Sequence, residues 1–173
     1  MSEAQTVWSG KYVQVIVDGR WEYVRRTRSI GAAAILAIDD GHVILVEQYR
    51  VPLGARCLEL PAGLVGDETA GEPIEAAALR ELEEETGYSA EAVEQIGKFA
   101  SSSGMLGETF TLVRAKGLRR TGAGGGAEGE NITVHRVALA ELSSFIAAQR
   151  ATGVMMDAKL LLLLGADIIA GVD

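Results

Sequence analysis

Between Gly66 and Tyr88 the chain runs GDETAGEPIEAAALRELEEETGY, eight carboxylates (Asp67, Glu68, Glu72, Glu75, Glu81, Glu83, Glu84, Glu85) against one base, Arg80. From Glu72 to Thr86 it predicts a helix: Pro73 suits the first turn, Ala76 to Leu82 are good helix formers, and Gly87 is a natural stop. Glu81, Glu84 and Glu85 then stand at i, i+3 and i+4, so their carboxylates share one face within one turn. Like charges packed so closely cost helix stability unless a cation sits among them. Hard oxygen ligands converging on one point suit Mg²⁺ or Mn²⁺ rather than zinc. A solvated acidic face is the plainer alternative. It leaves unexplained the fixed order of residues around the cluster.

Charge and length bound the rest. The 173 residues suit one domain with a real core, and 48% of them are hydrophobic. The net charge is −8, most of it from this one stretch, so no basic stripe for nucleic acid is expected. An anionic substrate would have to be met by local cations and bound metal. Cys57 is the only cysteine, which excludes an internal disulfide and a thiolate zinc site. The first ten residues, MSEAQTVWSG, do not resemble a signal peptide. Val154 to Val172 is the most apolar tract, but Asp157, Lys159 and Asp167 interrupt it, so a buried or interface helix is expected rather than a membrane span. A cytoplasmic protein is the expectation.

Residues 11–26 alternate in the strand manner about Asp18-Gly19, which predicts an N-terminal hairpin. Ile30 to Ile38 is a continuous apolar run, as in a buried strand. Asp39-Asp40-Gly41 turns it, and Val43 to Tyr49 returns as its partner. Leu58 to Gly63 predicts a short strand ending in a Pro-Ala-Gly turn. Ala92 to Ala100 and Thr109 to Val113 are strands around a loop, Ser101 to Glu108. Thr121 to Gly129 carries too many glycines to hold one shape and is expected to be mobile. Ile132 to Val137 is a further strand, and Leu139, Leu142, Phe145 and Ile146 mark an amphipathic helix before the Leu-rich C-terminal one. The fold class is therefore α/β (α+β), a sandwich on a mixed sheet.

Gly66, five residues, Glu72, seven residues, then Arg80-Glu81-Leu82-Glu83-Glu84-Glu85-Thr86-Gly87-Tyr88 resembles the Nudix box at every fixed position. RWEYVRRT (20–27), VEQYRVPLG (46–54), LELPAG (58–63), GENITVHRV (129–137) and MDAK (156–159) are similar to the ADP-ribose pyrophosphatase and nucleoside diphosphate sugar hydrolase branch of that family. The resemblance implies a Nudix fold, an α/β/α sandwich, with residues 1–28 as an extension that crosses to the partner of a homodimer and 29–173 as the Nudix domain. It implies metal ligation by Glu81, Glu84, Glu85 and the Ala62 carbonyl, with Arg80 bracing the helix. Arg50 and Arg26 would hold the diphosphate or terminal ribose, Glu59 would assist at the metal–substrate edge, and Trp21 with Tyr12 of the other subunit would stack on the base. Gly104 and Glu108 would line the substrate loop. Glu130, with Glu128 as a close second, would orient or deprotonate water.

That chemistry is sound on its own terms. Divalent ions neutralise a diphosphate, polarise phosphorus and lower the pKa of water, and a glutamate on a Gly-rich loop completes the site as general base. Two departures from the branch, Ser102-Ser103-Gly104 in place of Ser-Pro-Gly and a three-residue insertion Leu64-Val65-Gly66 before the box, fall in loops expected to face the substrate. Several rivals stay open at this level. They are a GDP-mannose or other sugar hydrolase, a nucleotide sensor that does not cleave, and an interaction module. Trp21 and Tyr12 could also be plain hairpin residues, Arg26 and Arg50 surface ion-pair partners, and Glu128 and Glu130 solvated loop residues. His42 and His135 lack partners at ligand spacing and are expected to be structural.

Overall fold

A computed structural model describes residues 4–28, 31–66, 71–127 and 129–170. The strands in chain order are β1 (Gln5–Ser9), β2 (Val13–Asp18), β3 (Trp21–Arg26), β4 (Ala32–Leu36), β5 (Ile38–Asp39), β6 (His42–Arg50), β7 (Ala55–Glu59) and β8 (Ala62–Leu64). After helix α1 (Ile74–Thr86) come β9 (Tyr88–Ser89), β10 (Ala92–Ala100), β11 (Thr109–Lys116), β12 (Arg119–Arg120) and β13 (Thr133–Ala138). Helix α2 (Leu142–Ala151), β14 (Met155–Met156) and helix α3 (Leu161–Ala170) complete the order.

Two mixed sheets form the body, where the sequence suggested one. The first runs β10-β11-β4-β8, with β11 and β4 parallel; the second runs β13-β6-β7-β14, with β7 and β14 parallel and β5 paired to β6. Helix α1 packs on the first sheet through β4, β8 and β10, and α2 lies against β13 and β14. This double coverage explains the continuous apolar runs. On β6, Val43 and Leu45 join a core with Leu58, Leu142, Ile146 and Leu160, while Ile44 between them joins another with Ile35, Ala78, Leu82 and Val113. A strand buried on both faces has no room for alternation.

The structure corrects the expected boundaries at informative places. The N-terminal hairpin is a three-stranded sheet, because Gln5–Ser9 adds to β2. Helix α1 starts at Ile74 rather than Glu72, since Pro73 takes an extended backbone (φ −62°, ψ 145°) and holds its predecessor out of the helix. Its end matches the glycine signal: Gly87 is left-handed at φ 70° and its N–H donates to the Glu83 carbonyl at 2.8 Å. Pro61-Ala62-Gly63 is no turn, because Ala62–Leu64 forms β8 and pairs with β4. One of the three inserted residues therefore lies outside the loop: Leu64 ends a strand, and only Val65 and Gly66 turn. The apolar C-terminal tract starts its helix only at Leu161, after Met155–Met156 has paired with β7.

The glycine-rich segment also departs from its expected looseness. Thr121 N–H donates to the Gly87 carbonyl, Gly125 N–H to that of Glu85 and Gly126 N–H to that of Glu84, at 2.7, 2.9 and 3.0 Å. The segment thus caps the carbonyls that a helix C-terminus leaves without partners. Glycine is needed because Gly124, Gly125 and Gly126 all have positive φ, and a Cβ on Gly124 would strike the backbone of Glu85 and Thr86.

Candidate active site

A cavity of about 600 Å³ opens between the two sheets and the face of α1. It gathers Arg26, Arg50, Glu59, Ala62, Glu81, Glu85, Glu108 and Glu130 from seven separate stretches of chain. Other proposed site residues fall elsewhere. Glu84 lies outside the cavity with its side chain 48% exposed, turned to Arg80. Trp21 and Gly104 line a second cavity of about 300 Å³ with Asp18, Tyr23 and Leu106. Tyr12 is 66% exposed, with the Lys11 ammonium over its ring. Glu128 lies outside the described residues.

Glu85 is the central group. It is 6% exposed, and one carboxylate oxygen accepts from the Ala62 N–H at 3.0 Å. Burial pushes its pKa up to about 8; the Ala62 hydrogen bond and Arg50 oppose that, while Glu81 and Glu130 add to it. Gly63 sits directly beneath Glu81, where a Cβ would collide with the carboxylate. The glycine therefore lets the acidic face of α1 lie close against β8.

Arg80 binds the same face from the side. It donates to Glu72 through Nε and Nη2, both at 3.3 Å, and through Nη1 to Glu81 at 3.0 Å and Glu84 at 3.4 Å. Glu72 in turn accepts from Gly66 N–H, so the first glycine of the box, its first glutamate and its arginine form one chain of contacts. The late helix start makes this reach available, because Glu72 lies before the helix rather than in its first turn.

Across the cavity Arg50 makes a two-point contact with Glu59, at 2.6 and 2.7 Å, and Arg26 pairs with Glu108 at 2.5 Å. Glu130 accepts from Ala127 N–H at 2.8 Å and packs against Gly126, at the far end of the loop that caps α1. Sequence reasoning gave no role to Gln48, Phe110, Asp157 or Lys159, which also line this cavity. Phe110 carries no sequence signal beyond its strand, whereas Gln48 lies in the family-like VEQYRVPLG and Asp157 and Lys159 in MDAK, which were signals. The histidines are structural in their contacts: His42 meets the Asp40 carbonyl, and His135 meets Glu47 at 2.9 Å against the Phe145 ring.

Among the described residues no three acidic, imidazole or thiol groups already converge as a ligand cage. The donor set nonetheless fits a divalent cation. Glu85 is a buried carboxylate near Glu81 and Glu130, with the Ala62 N–H and Arg50 offsetting only part of the cost, and a hard cation would lower it further. Glu81 and Glu85 both reach the cavity, whereas Glu84 is turned to Arg80 outside it.

Comparisons with known proteins agree with the box. The family model described as NUDIX domain matches residues 27–158. A methanol dehydrogenase activator of Bacillus methanolicus is 36% identical over 156 residues, 86% of this chain and 83% of its own. An ADP-ribose pyrophosphatase of Bacillus subtilis is 36% identical over 121 residues, 66% of this chain and 64% of that one. An ADP-sugar pyrophosphatase of Mus musculus is 49% identical over 83 residues, 43% of this chain and 37% of its own. A solved ADP compounds hydrolase shares the fold with a TM-score of 0.71 across 97% of this chain and 92% of that one, at 23% identity. With the box intact and two of its carboxylates, Glu81 and Glu85, at the cavity, the chain belongs to the Nudix hydrolases, on the branch of the ADP-ribose pyrophosphatases.

Proposed function

We propose that this enzyme hydrolyses the diphosphate bond of ADP-ribose or a related nucleoside diphosphate sugar, giving a nucleoside monophosphate and a sugar phosphate. The observation that carries this is the cavity itself, with the buried Glu85 and Glu81 on one wall and Arg50 and Arg26 on the other. The relatives named for ADP-ribose and ADP-sugar hydrolysis support it. Glu81 and Glu85, with Glu84 and the Ala62 carbonyl, would hold Mg²⁺ or Mn²⁺. Such an ion neutralises the diphosphate and lowers the pKa of a water. Arg50, fixed by Glu59, and Arg26, fixed by Glu108, orient the two phosphates. Glu130 takes the proton from water as its oxygen bonds to one phosphorus and the bridging P–O bond breaks. Glu128 is the second candidate for that proton. Arg80 positions the carboxylates.

The Trp21 and Gly104 cavity would take the base, with Tyr12 of a second subunit closing over it. The N-terminal sheet would then serve a homodimer in which residues 1–28 cross to the partner. The test is phosphate release from ADP-ribose with Mg²⁺ and added phosphatase, repeated with Glu85→Gln. Wild-type turnover lost in the variant supports the proposal, and equal turnover in both removes Glu85 from the site. The similarity to a dehydrogenase activator favours a second reading, a nucleotide-binding activator of another enzyme. Tight nucleotide binding without cleavage would select it.

A further inference from the structure

The DAK stretch builds a feature of the cavity that neither the metal nor the diphosphate needs. Asp157 N–H donates to the Leu58 carbonyl at 3.0 Å, which fixes the segment to the edge of β7 beside Cys57. Both oxygens of the Asp157 carboxylate are engaged by Lys159, one by its backbone N–H and one by its ammonium, each at 2.7 Å. The Lys159 side chain is only 23% exposed, and its ammonium lies 5.5 Å from the centre of the Phe110 ring. Phe110 itself stacks on Phe99 and is held in β11 two residues beyond Glu108. An ammonium, a carboxylate and an aromatic face thus meet at the cavity wall away from the box.

Such a trio matches neither a phosphate nor a bare apolar group. The carboxylate repels a phosphate, and the ion pair cancels the net charge a phosphate would seek. A polyol is different: its neutral hydroxyls accept from the remaining ammonium hydrogens without needing a net positive charge, and its C–H face packs on a ring. Lys159 gives Asp157 one of its three ammonium hydrogens, so donors remain.

Resting on the function proposed above, we propose that Lys159, held in place by Asp157 and Phe110, contacts the hydroxyls of the sugar on the non-nucleoside side of the diphosphate and sets which sugar is accepted. Lys159 is a specificity-determining contact, and Asp157 is a positioning residue that acts through it.

The experiment uses the full chain with Mg²⁺ and two probes, ribose 5-phosphate and AMP, measured by calorimetry and as inhibitors of turnover. Lys159→Met is expected to weaken ribose 5-phosphate about tenfold or more, since a hydrogen bond to a charged group is lost, and to leave AMP unchanged. KM for ADP-ribose and ADP-glucose should rise more than kcat falls, with the preference between them narrowed. Lys159→Arg should recover part of the loss, and Asp157→Asn should reproduce most of it at an unchanged melting temperature. If Lys159 serves only to clip its turn, Lys159→Met lowers the melting temperature while both probes bind as before, and the proposal is overturned. If the wild type binds ribose 5-phosphate but cleaves no diphosphate sugar, the proposed function fails, and the probe comparison still decides on Lys159. Failure of the wild type to bind ribose 5-phosphate overturns the sugar contact directly.

Discussion

Glu85 concentrates the energetic conflict of this protein in one carboxylate. Its folded pKa of about 8 lies above the ordinary 4.5. Between those values the folded state keeps a proton that the unfolded chain has lost, so metal-free stability falls as pH rises through the window and levels off above it. A divalent cation favours the ionised form and should remove the slope. Melting curves from about pH 5 to about pH 9 with EDTA, then with Mg²⁺, measure this. Glu85→Gln should flatten the EDTA series, raise the melting temperature at the alkaline end, and cut turnover by orders of magnitude. A wild-type series that is level without metal would mean the buried carboxylate carries no such penalty. Trp21 makes a smaller prediction at this scale: Trp21→Ala should raise KM for adenine and guanine substrates alike, because stacking is tolerant of the base.

The glycine-rich segment behaves as part of helix α1 rather than as a free loop. Its N–H groups cap α1 and end at Glu130, so the acidic face and the proposed base are set by one unit. Gly126→Ala tests that coupling. The position has φ 75°, and a Cβ would meet the Glu130 carboxylate and Ile132. A stability loss of about 1 to 2 kcal/mol is expected from the left-handed backbone, together with a fall in kcat of up to about a hundredfold from misplacing Glu130. KM should change little. Loss of stability with full kcat would separate the loop from catalysis.

The helix itself was legible because residue type, spacing and stop signal all agreed over one continuous stretch. The capping loop was not, because glycine counts announce conformational freedom without saying which carbonyls will use it. Glu72 shows the same limit at one residue: the proline after it moved the helix start, and that shift put its carboxylate on Arg80.

At the scale of the whole molecule, the sequence indicated layered α+β architecture but not how the layers divide. Continuous apolar runs reveal that β4 and β6 are covered on both faces, yet nothing in them separates one sheet from two. Short elements such as β8 and β14 exist only because a neighbouring strand accepts them, so their own residues carry little signal. The charged residues of the cavity from Arg26 to Glu130 were recognisable one by one, while Phe110 and Lys159 became partners only through long-range packing. The N-terminal sheet presents Val7, Trp8, Tyr12 and Trp21 as exposed large hydrophobics, a surface suited to a second copy. Sedimentation equilibrium should give a dimer, and Trp8→Glu should shift it toward monomer with a higher KM. A wild-type monomer with full activity would remove the partner subunit from the site.

Hydrolysis of a diphosphate sugar at the Glu85 cavity is tested most directly by a phosphate-release screen with Mg²⁺. It should span ADP-ribose, ADP-glucose, GDP-mannose, UDP-glucose, NADH, diadenosine polyphosphates and nucleoside triphosphates, with phosphatase added to reveal monoester products. The expected result is a clear preference for a nucleoside diphosphate sugar, ADP-ribose first, abolished by EDTA and by Glu85→Gln. Nucleotide binding with no cleavage of any compound would contradict it and leave this Nudix chain as a binding protein.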